Sequence, residues 1–380
     1  MSQAVRNRLI TPTDVGRVVV GWGAFGALMF VGSPPVPAPV LVIALAGTVA
    51  VIIVCAFGVV KQAEALARRL GDPYGSLVLT LSIVLIEVIL IAAMMLGPGE
   101  HATIARDSVM AVSMIIMNLV IGVALLTAGL RHGGSKYNRT GTSAYLSMLI
   151  VLTALTFALP KLIGEDGSYT VGQEVPIIVL TLVIYGFFLF RQMGAQADDF
   201  REVDERVIEA ANAGHGDSET LQVRDVLKEH SREVVTRLLV LVVTVLPIVL
   251  LSHDMASLLD DGLGRLGAPV ALAGVLIAMI VFLPESLTAV RAAHQGEVQR
   301  VSNLCHGALV STVGLTIPAV LTIGMLTGQT VVLAESPANL LMLGVTMVLS
   351  VATFTAPKVT AMHGVAHLVV FAAYAITLFR

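Results

Sequence analysis

The stretch GSLVLTLSIVLIEVILIAAMML, residues 75–96, sets one carboxylate, Glu87, inside an apolar run long enough to cross about 30 Å of hydrocarbon. A second stretch, VALAGVLIAMIVFLPESLTAVRAAH, residues 270–294, does the same with Glu285, directly after Pro284. An ionisable group at membrane depth costs about 2.5–3.5 kcal/mol on insertion scales, so each acid reads first as a functional residue. Proline interrupts the hydrogen-bond ladder of a helix. Carbonyls freed beside a carboxylate would make a cation site. The alternative for each acid is a carboxylate facing water at a helix end, or one paired within the bundle. No Lys or Arg shares the span of Glu87, whereas Glu285 stands six residues before Arg291.

The rest of the chain fits that setting. Of 380 residues, 56% are hydrophobic and 13% charged, against roughly 45–50% and about 25% in soluble domains. Mean hydropathy is +0.88. The expectation is an all-α polytopic membrane protein in a lipid bilayer. Secreted, nuclear and DNA-binding proteins are excluded; with a net charge of −3 and no basic patch, no nucleic acid partner is implied. Cys55 and Cys305 sit within or beside apolar runs and imply no disulfide framework.

Windows of about 20 residues give eleven spans. They are 16–33, 39–60, 75–96, 108–130, 142–160, 175–193, 235–252, 267–290, 303–327, 338–356 and 359–379. Basic residues divide unevenly between alternate junctions. One set holds Arg6, Arg8, Arg17, Lys61, Arg68, Arg69, Arg131, Lys136, Arg139, Arg291, Arg300 and Lys358, and the other only Arg106, Lys161, Arg265 and Arg380. Short cytoplasmic loops concentrate Lys and Arg, so the amino end is expected inside and the carboxyl end outside.

One polar segment interrupts the row. Residues 194–235 carry eleven acids and five bases, a net charge of −6. Phe200, Val203, Val207 and Ile208, then Leu221, Val223, Val226 and Leu227 after a Gly-His-Gly break, predict two short amphipathic helices. The segment reads as a solvated connector between two halves, or as an acidic cytoplasmic element that senses a cation.

The two acid-bearing spans are followed by related surroundings. After Glu87 the chain re-enters as SVMAVSMIIMNLVIGVALLTAGL with Asn118 in mid-span; after Glu285 it re-enters as VSNLCHGALVSTVGLTIPAVLTIGML with Asn303, His306, Ser311 and Thr312. The first unit starts inside and the second outside, so the two are inverted. Inverted repeats with broken helices meeting near the midplane mark secondary transporters. Ser76, Thr80 and Glu87 share one helix side, as do Asn303, Gly307, Val310 or Ser311, and Gly314; small residues at such spacing equally serve close packing. His306 reads as a donor to a carboxylate, a proton relay or a packed residue. His363 and His367, four apart, lack a third ligand nearby, and no HExxH motif exists.

The stretches GDPYGSLVLTLSIVLIEVIL and PESLTAVRAAHQGEVQRVSNLCHGALVSTVGLTIPAVL, with the acidic connector, resemble the bacterial calcium/proton and sodium-potassium/proton antiporters of the calcium:cation antiporter superfamily. The resemblance runs from about Thr11 to the end. It implies two inverted five-helix repeats plus an amino-terminal helix: 1–38 tail and first helix, 39–193 first repeat, 194–235 connector, 236–380 second repeat. It implies that the cation- and proton-binding residues are Glu87, Glu285, Asn118 and, with the Ile-Pro pair placed at Ile317 and Pro318, Ser311, the two glutamates holding the metal ion. Thr80, Asn303 and His306 support them. Plant and fungal exchangers carry a Gly-Asn pair before each acid; here Ile83-Val84 and Val281-Phe282 stand there. The sequence is thus similar to the bacterial branch, with sodium or potassium beside calcium as cargo and the bacterial inner membrane as location.

Two carboxylates can hold one divalent cation, monovalent cations or two protons, and that competition would couple the fluxes. Oxygen ligands suit calcium or sodium rather than soft metals. No resident cofactor is implied, and a homo-oligomer is left open. Each net charge moved is worth about 2.3 kcal/mol per 100 mV, so one calcium for two protons would ignore voltage. The alternatives are a cation channel, which would need a continuous polar pore, and an intramembrane metalloenzyme, for which the scattered histidines supply no recognised spacing.

Overall fold

The apolar runs among the described residues form helices. The computed structural model describes residues 10–30, 36–70, 81, 84–85, 87–89, 91–92, 95, 102–214, 231–267 and 271–379. In order they form α1 (Pro12–Leu28), α2 (Ala38–Leu70), α3 (Ile104–His132), α4 (Arg139–Ile163) and α5 (Val171–Met193). Then come a short 3-10 turn (Ala197–Phe200), α6 (Glu205–Gly214), α7 (Ser231–Leu266) and α8 (Ala271–Gln295). Last are α9 (Val298–Thr327), α10 (Pro337–Thr355) and α11 (Ala361–Thr377). The described residues between Leu81 and Met95 are also helical.

Eleven spans are not all present among the described residues. Seven helices there are long and apolar enough to cross a membrane, or eight with α8, whose parts Gly274–Ile280 and Glu285–Gln295 are inclined by 55°. The break between them includes position 284, where proline lacks an N–H. The first span, expected to reach residue 33, already ends at Leu28, and α11 has 17 residues. At the other extreme α7 has 36, about 54 Å at 1.5 Å per residue. It begins at Ser231, so the last five residues assigned to the connector are helix.

The chain divides into two compact units, residues 1–82 with 219–284 and residues 83–218 with 285–380. Each unit draws on both halves of the sequence. In the first, α2 and α7 run antiparallel. Arg237 donates to the Gln62 side chain at 3.1 Å near one end, and Arg265 to the Val36 carbonyl near the other. α1 lies against both: Trp22 donates to the Val243 carbonyl at 3.2 Å, and Asp14 pairs with Lys61 at 2.9 Å. A Cβ on Gly21 would meet Cys55 Sγ and the Pro247 ring, so only glycine allows this approach.

In the second unit α3 and α9 are the most enclosed spans, 83% and 67% buried over their apolar windows. Junctions gather at two ends. At one, Val332 donates to the Ala102 carbonyl, Leu333 to that of Gly167 and Arg106 to that of Ala334. At the other, Ser135 pairs with Val359, Tyr137 donates to the Ala356 carbonyl and the Asn138 N–H to Gln299. The alternation of junctions expected from the basic residues holds for these helices.

The amino-terminal part of the connector is anchored to the second end at two buried residues, Phe200 and Asp204, while most of its other described residues are exposed. Phe200 is buried against Tyr145 and Phe188, with ring centroids 5.1 and 6.0 Å away. Its carbonyl accepts from Asn303 at 2.7 Å. Asp204 accepts from the Lys136 N–H at 3.1 Å and from the Arg206 guanidinium at 2.7 and 2.9 Å. Those bonds hold its carboxyl at about 2, below the usual value near 4. Of the two connector helices expected, the first is present in part: α6 holds Val207 and Ile208, whereas Phe200 ends the 3-10 turn and Val203 lies between the two elements; the second falls outside the described residues.

α11 packs closely on α3 through facing glycines. A Cβ on Gly364 would collide with the Leu126 backbone N, and one on Gly129 with the backbone of Ala361. Gly364→Ala should therefore lower unfolding stability in detergent by about 1–3 kcal/mol, read as an earlier thermal midpoint. Asp204→Ala should open the connector, raising the rate of trypsin cleavage at Arg201 and Arg206 about tenfold. A carboxyl with a lowered folded-state value stabilises above its unfolded value. Wild-type protection should thus persist down to about pH 4 and fade as pH falls through about 2, read as pepsin cleavage beside Phe200.

Candidate functional site

Glu87 lies on the inward side of its helix. Val84, Glu87, Ile91 and Met95, spaced by three or four residues, are buried, whereas Leu85 and Ile89 are exposed. Glu285 has the same setting, with Thr288, Ala289 and Ala292 buried beside it and Leu287 exposed. The two glutamates are 4% and 5% exposed and within electrostatic range of one another.

Few polar groups answer them. Thr312 on α9 donates its hydroxyl to Glu87 Oε2 at 2.6 Å. Glu87 Oε1 and both Glu285 oxygens find no hydrogen-bond partner among the described residues. Buried carboxylate oxygens are normally satisfied. Three open oxygens therefore form an arrangement able to accept protons or a hard cation.

Asn118 is fully buried within α3, in a π-helical segment, Ile115–Val120. Such wide turns recur at functional sites. Its Nδ2 donates to Thr346 Oγ1 on α10 at 2.8 Å, and its Oδ1 is 3.4 Å from His367 Nδ1 on α11. Ser311, by contrast, accepts from the Tyr185 hydroxyl at 3.0 Å. On α9 it is the neighbouring Thr312 that reaches a glutamate.

The supporting residues lie elsewhere. Asn303 accepts from Gln299 at 2.9 Å and donates to the connector at Phe200. His306 bonds Ser302 through Nδ1 at 3.0 Å and packs edge-on against Phe354, ring centroids 4.9 Å apart. Its hydrogen bonds do not run to a carboxylate. Ser76 and Thr80 fall outside the described residues. His363 and His367 do not act as a metal pair: His363 accepts from the Thr360 N–H at its own helix start, while His367 meets Thr353 and Asn118. Among the described residues no group of three or more His, Cys, Asp or Glu could hold a metal.

Thr312, Thr346 and Tyr185 were not singled out as site residues in the sequence. The hydroxyls of Thr312 and Thr346 lie at 0% exposure, and a polar residue fully enclosed in a span is the signal that would have found them. Nothing in residues 108–130 announces the π segment.

The described residues form a helical bundle with helices apolar enough to cross a membrane and with two buried acids, one from each half of the sequence. Residues 40–194 and 236–380 match the sodium/calcium exchanger protein family, and the chain belongs to it. It is a cation antiporter of the calcium:cation antiporter superfamily, not an enzyme. It is 30% identical over 382 residues to the sodium-potassium/proton antiporter ChaA of Escherichia coli (strain K12), covering 99% of this chain and 98% of that one. Its fold resembles that of the solved H+/Ca2+ exchanger CAX, with a TM-score of 0.66, 13% identity and coverage of 96% and 87%. Native YfkE is similar at 0.64 and 13%, over 97% and 98% of the two chains.

The hydroxyls of Ser311 and Thr312 face different partners, and their substitutions should separate. Thr312→Val removes a bond to a carboxylate and should raise the KM for transported cation about tenfold; Ser311→Ala should change it by less than about twofold, measured as cation-driven exchange in vesicles.

Proposed function

We propose that the chain exports calcium, and sodium or potassium, in exchange for protons, by alternating access at a site built on Glu87 and Glu285. The observation that carries this reading is the pair of enclosed carboxylates, three of whose four oxygens have no hydrogen-bond partner among the described residues. An oxygen that holds a proton cannot also ligate a cation, so loading with one excludes the other. Asn118 adds a carboxamide oxygen, and hard oxygen donors favour calcium, sodium or potassium over soft metals.

Similarity to a sodium-potassium/proton antiporter and to an H+/Ca2+ exchanger fold supports the same chemistry. Inverted-repeat transporters bind their cargo at broken helices, and the bend in α8 before Glu285 supports this reading. In our reading the protein lies in the bacterial inner membrane. The end bearing the connector and Arg131, Lys136, Arg139 and Lys358 faces the cytoplasm. The amino end is then inside and the carboxyl end outside.

The test is proton movement in everted vesicles with an acid interior, followed with a pH-sensitive dye as calcium, sodium or potassium is added. Wild type should collapse the gradient, with the order of cations giving selectivity, and Glu87→Gln and Glu285→Gln should each lower the rate at least about tenfold. Equal rates in wild type and both variants would remove the two-glutamate site. Cation flux without proton movement would instead indicate a channel.

A further inference from the structure

Around Asn118 the hydrogen bonds leave little freedom of choice. Thr346 donates its own proton to the Met342 carbonyl at 2.8 Å. Toward Asn118 it can then only accept, so the group 2.8 Å away is the amide Nδ2 rather than Oδ1. The carbonyl oxygen therefore occupies the other position, 3.4 Å from His367 Nδ1. Because that oxygen only accepts, Nδ1 carries the imidazole proton. Nε2 is then bare and receives the Thr353 hydroxyl at 3.1 Å. Asn118, Thr346, Thr353 and His367 are all at 0% exposure.

We infer that His367, on α11, is a positioning residue for cation exchange: with Thr346 it locks the Asn118 carboxamide in the orientation that keeps its oxygen, not its nitrogen, available to the cation. The inference rests on the two-glutamate reading with Asn118 as a ligand. Amide oxygen and nitrogen are almost the same size, so packing alone does not prevent a half-turn. A turned amide would set Nδ2 against the N–H of His367 and Oδ1 against a Thr346 oxygen whose proton is already committed to Met342. Two donors would face each other, and so would two acceptors.

The backbone makes the contact feasible. Gly364 comes one turn before His367 and meets α3 without a side chain, bringing the ring to the π segment. The ring also interacts with the Met117 carbonyl in that segment, where the wider turn loosens carbonyls from the helix ladder. His363, one turn earlier, is engaged at its own helix start by Thr360, which separates the roles of the two histidines.

The experiment compares wild type, His367→Ala, His367→Gln and Glu87→Gln in vesicles, measuring KM and maximal rate for sodium, potassium and calcium. His367→Ala should raise the KM of the preferred cation about 3- to 10-fold while the maximal rate stays within about twofold, because a neutral hydrogen bond that fixes a ligand is lost. His367→Gln, which keeps an amide donor, should restore KM to within about threefold of wild type. An unchanged KM in His367→Ala, or a lower maximal rate at unchanged KM, would overturn the inference and leave the ring a packing element. If His367→Ala fails to accumulate in membranes, Thr346→Val decides: it frees the amide to turn and should raise KM likewise, and an unchanged KM refutes the locking role. Glu87→Gln separates the two readings. Full exchange in that variant removes the two-glutamate site, whereas its loss beside a wild-type-like His367→Ala removes only the role of His367.

Discussion

The structure depends on keeping Glu87 and Glu285 enclosed with one neutral donor, the Thr312 hydroxyl, reaching them among the described residues. Leaving buried carboxylate oxygens open works against folding, so the surrounding packing must supply the stability they withhold. It does so with close-packed spans: α3 and α9 are the most buried, and α11 meets α3 through glycines that admit no Cβ. In a bilayer, where lipid tails are as apolar as leucine, close van der Waals approach of this kind holds helices together.

What could be read from the sequence follows from how strongly each feature departs from its surroundings. A charge in a 22-residue apolar run is conspicuous, so Glu87 and Glu285 stood out at once. Hydroxyls did not, because a threonine that bonds its own helix four residues back, as Thr346 does with Met342, passes for an apolar residue in a hydropathy window. Which of two adjacent hydroxyls reaches a glutamate depends on what packs against α9. Tyr185 takes Ser311 and leaves Thr312 for Glu87. The bonds from Asn118 to α10 and α11 lie further beyond a single sequence, since their partners are more than 220 residues away.

The connector combines solvation with anchoring. Its net charge of −6 goes with mostly exposed described residues, while one aromatic side chain and one carboxylate dock its first part. Composition averages over the segment, whereas docking needs only Phe200 in an aromatic recess and Asp204 accepting from Lys136 and Arg206. Gln299 and Asn303 then link this docked piece to α9, the helix that carries Thr312. The polar residues along α9 thus serve two different tasks at two depths, and reading them as a single binding stripe merged the two.

The halves are alike in sequence plan but unequal at the acids. Glu87 has one oxygen committed to Thr312 and one open; Glu285 has both open among the described residues. In the site we propose, a cation would take a single oxygen from Glu87 and either or both from Glu285, so the two acids are not equivalent. Discrimination between one divalent ion and monovalent ions then turns on how many further neutral oxygens can close the shell. Asn118 carries a carboxamide on α3, engaged by Thr346 and His367, and Ser311 on α9 is held by Tyr185. In the site we propose, two acids with few neutral oxygens around them would let monovalent cations and protons compete with calcium.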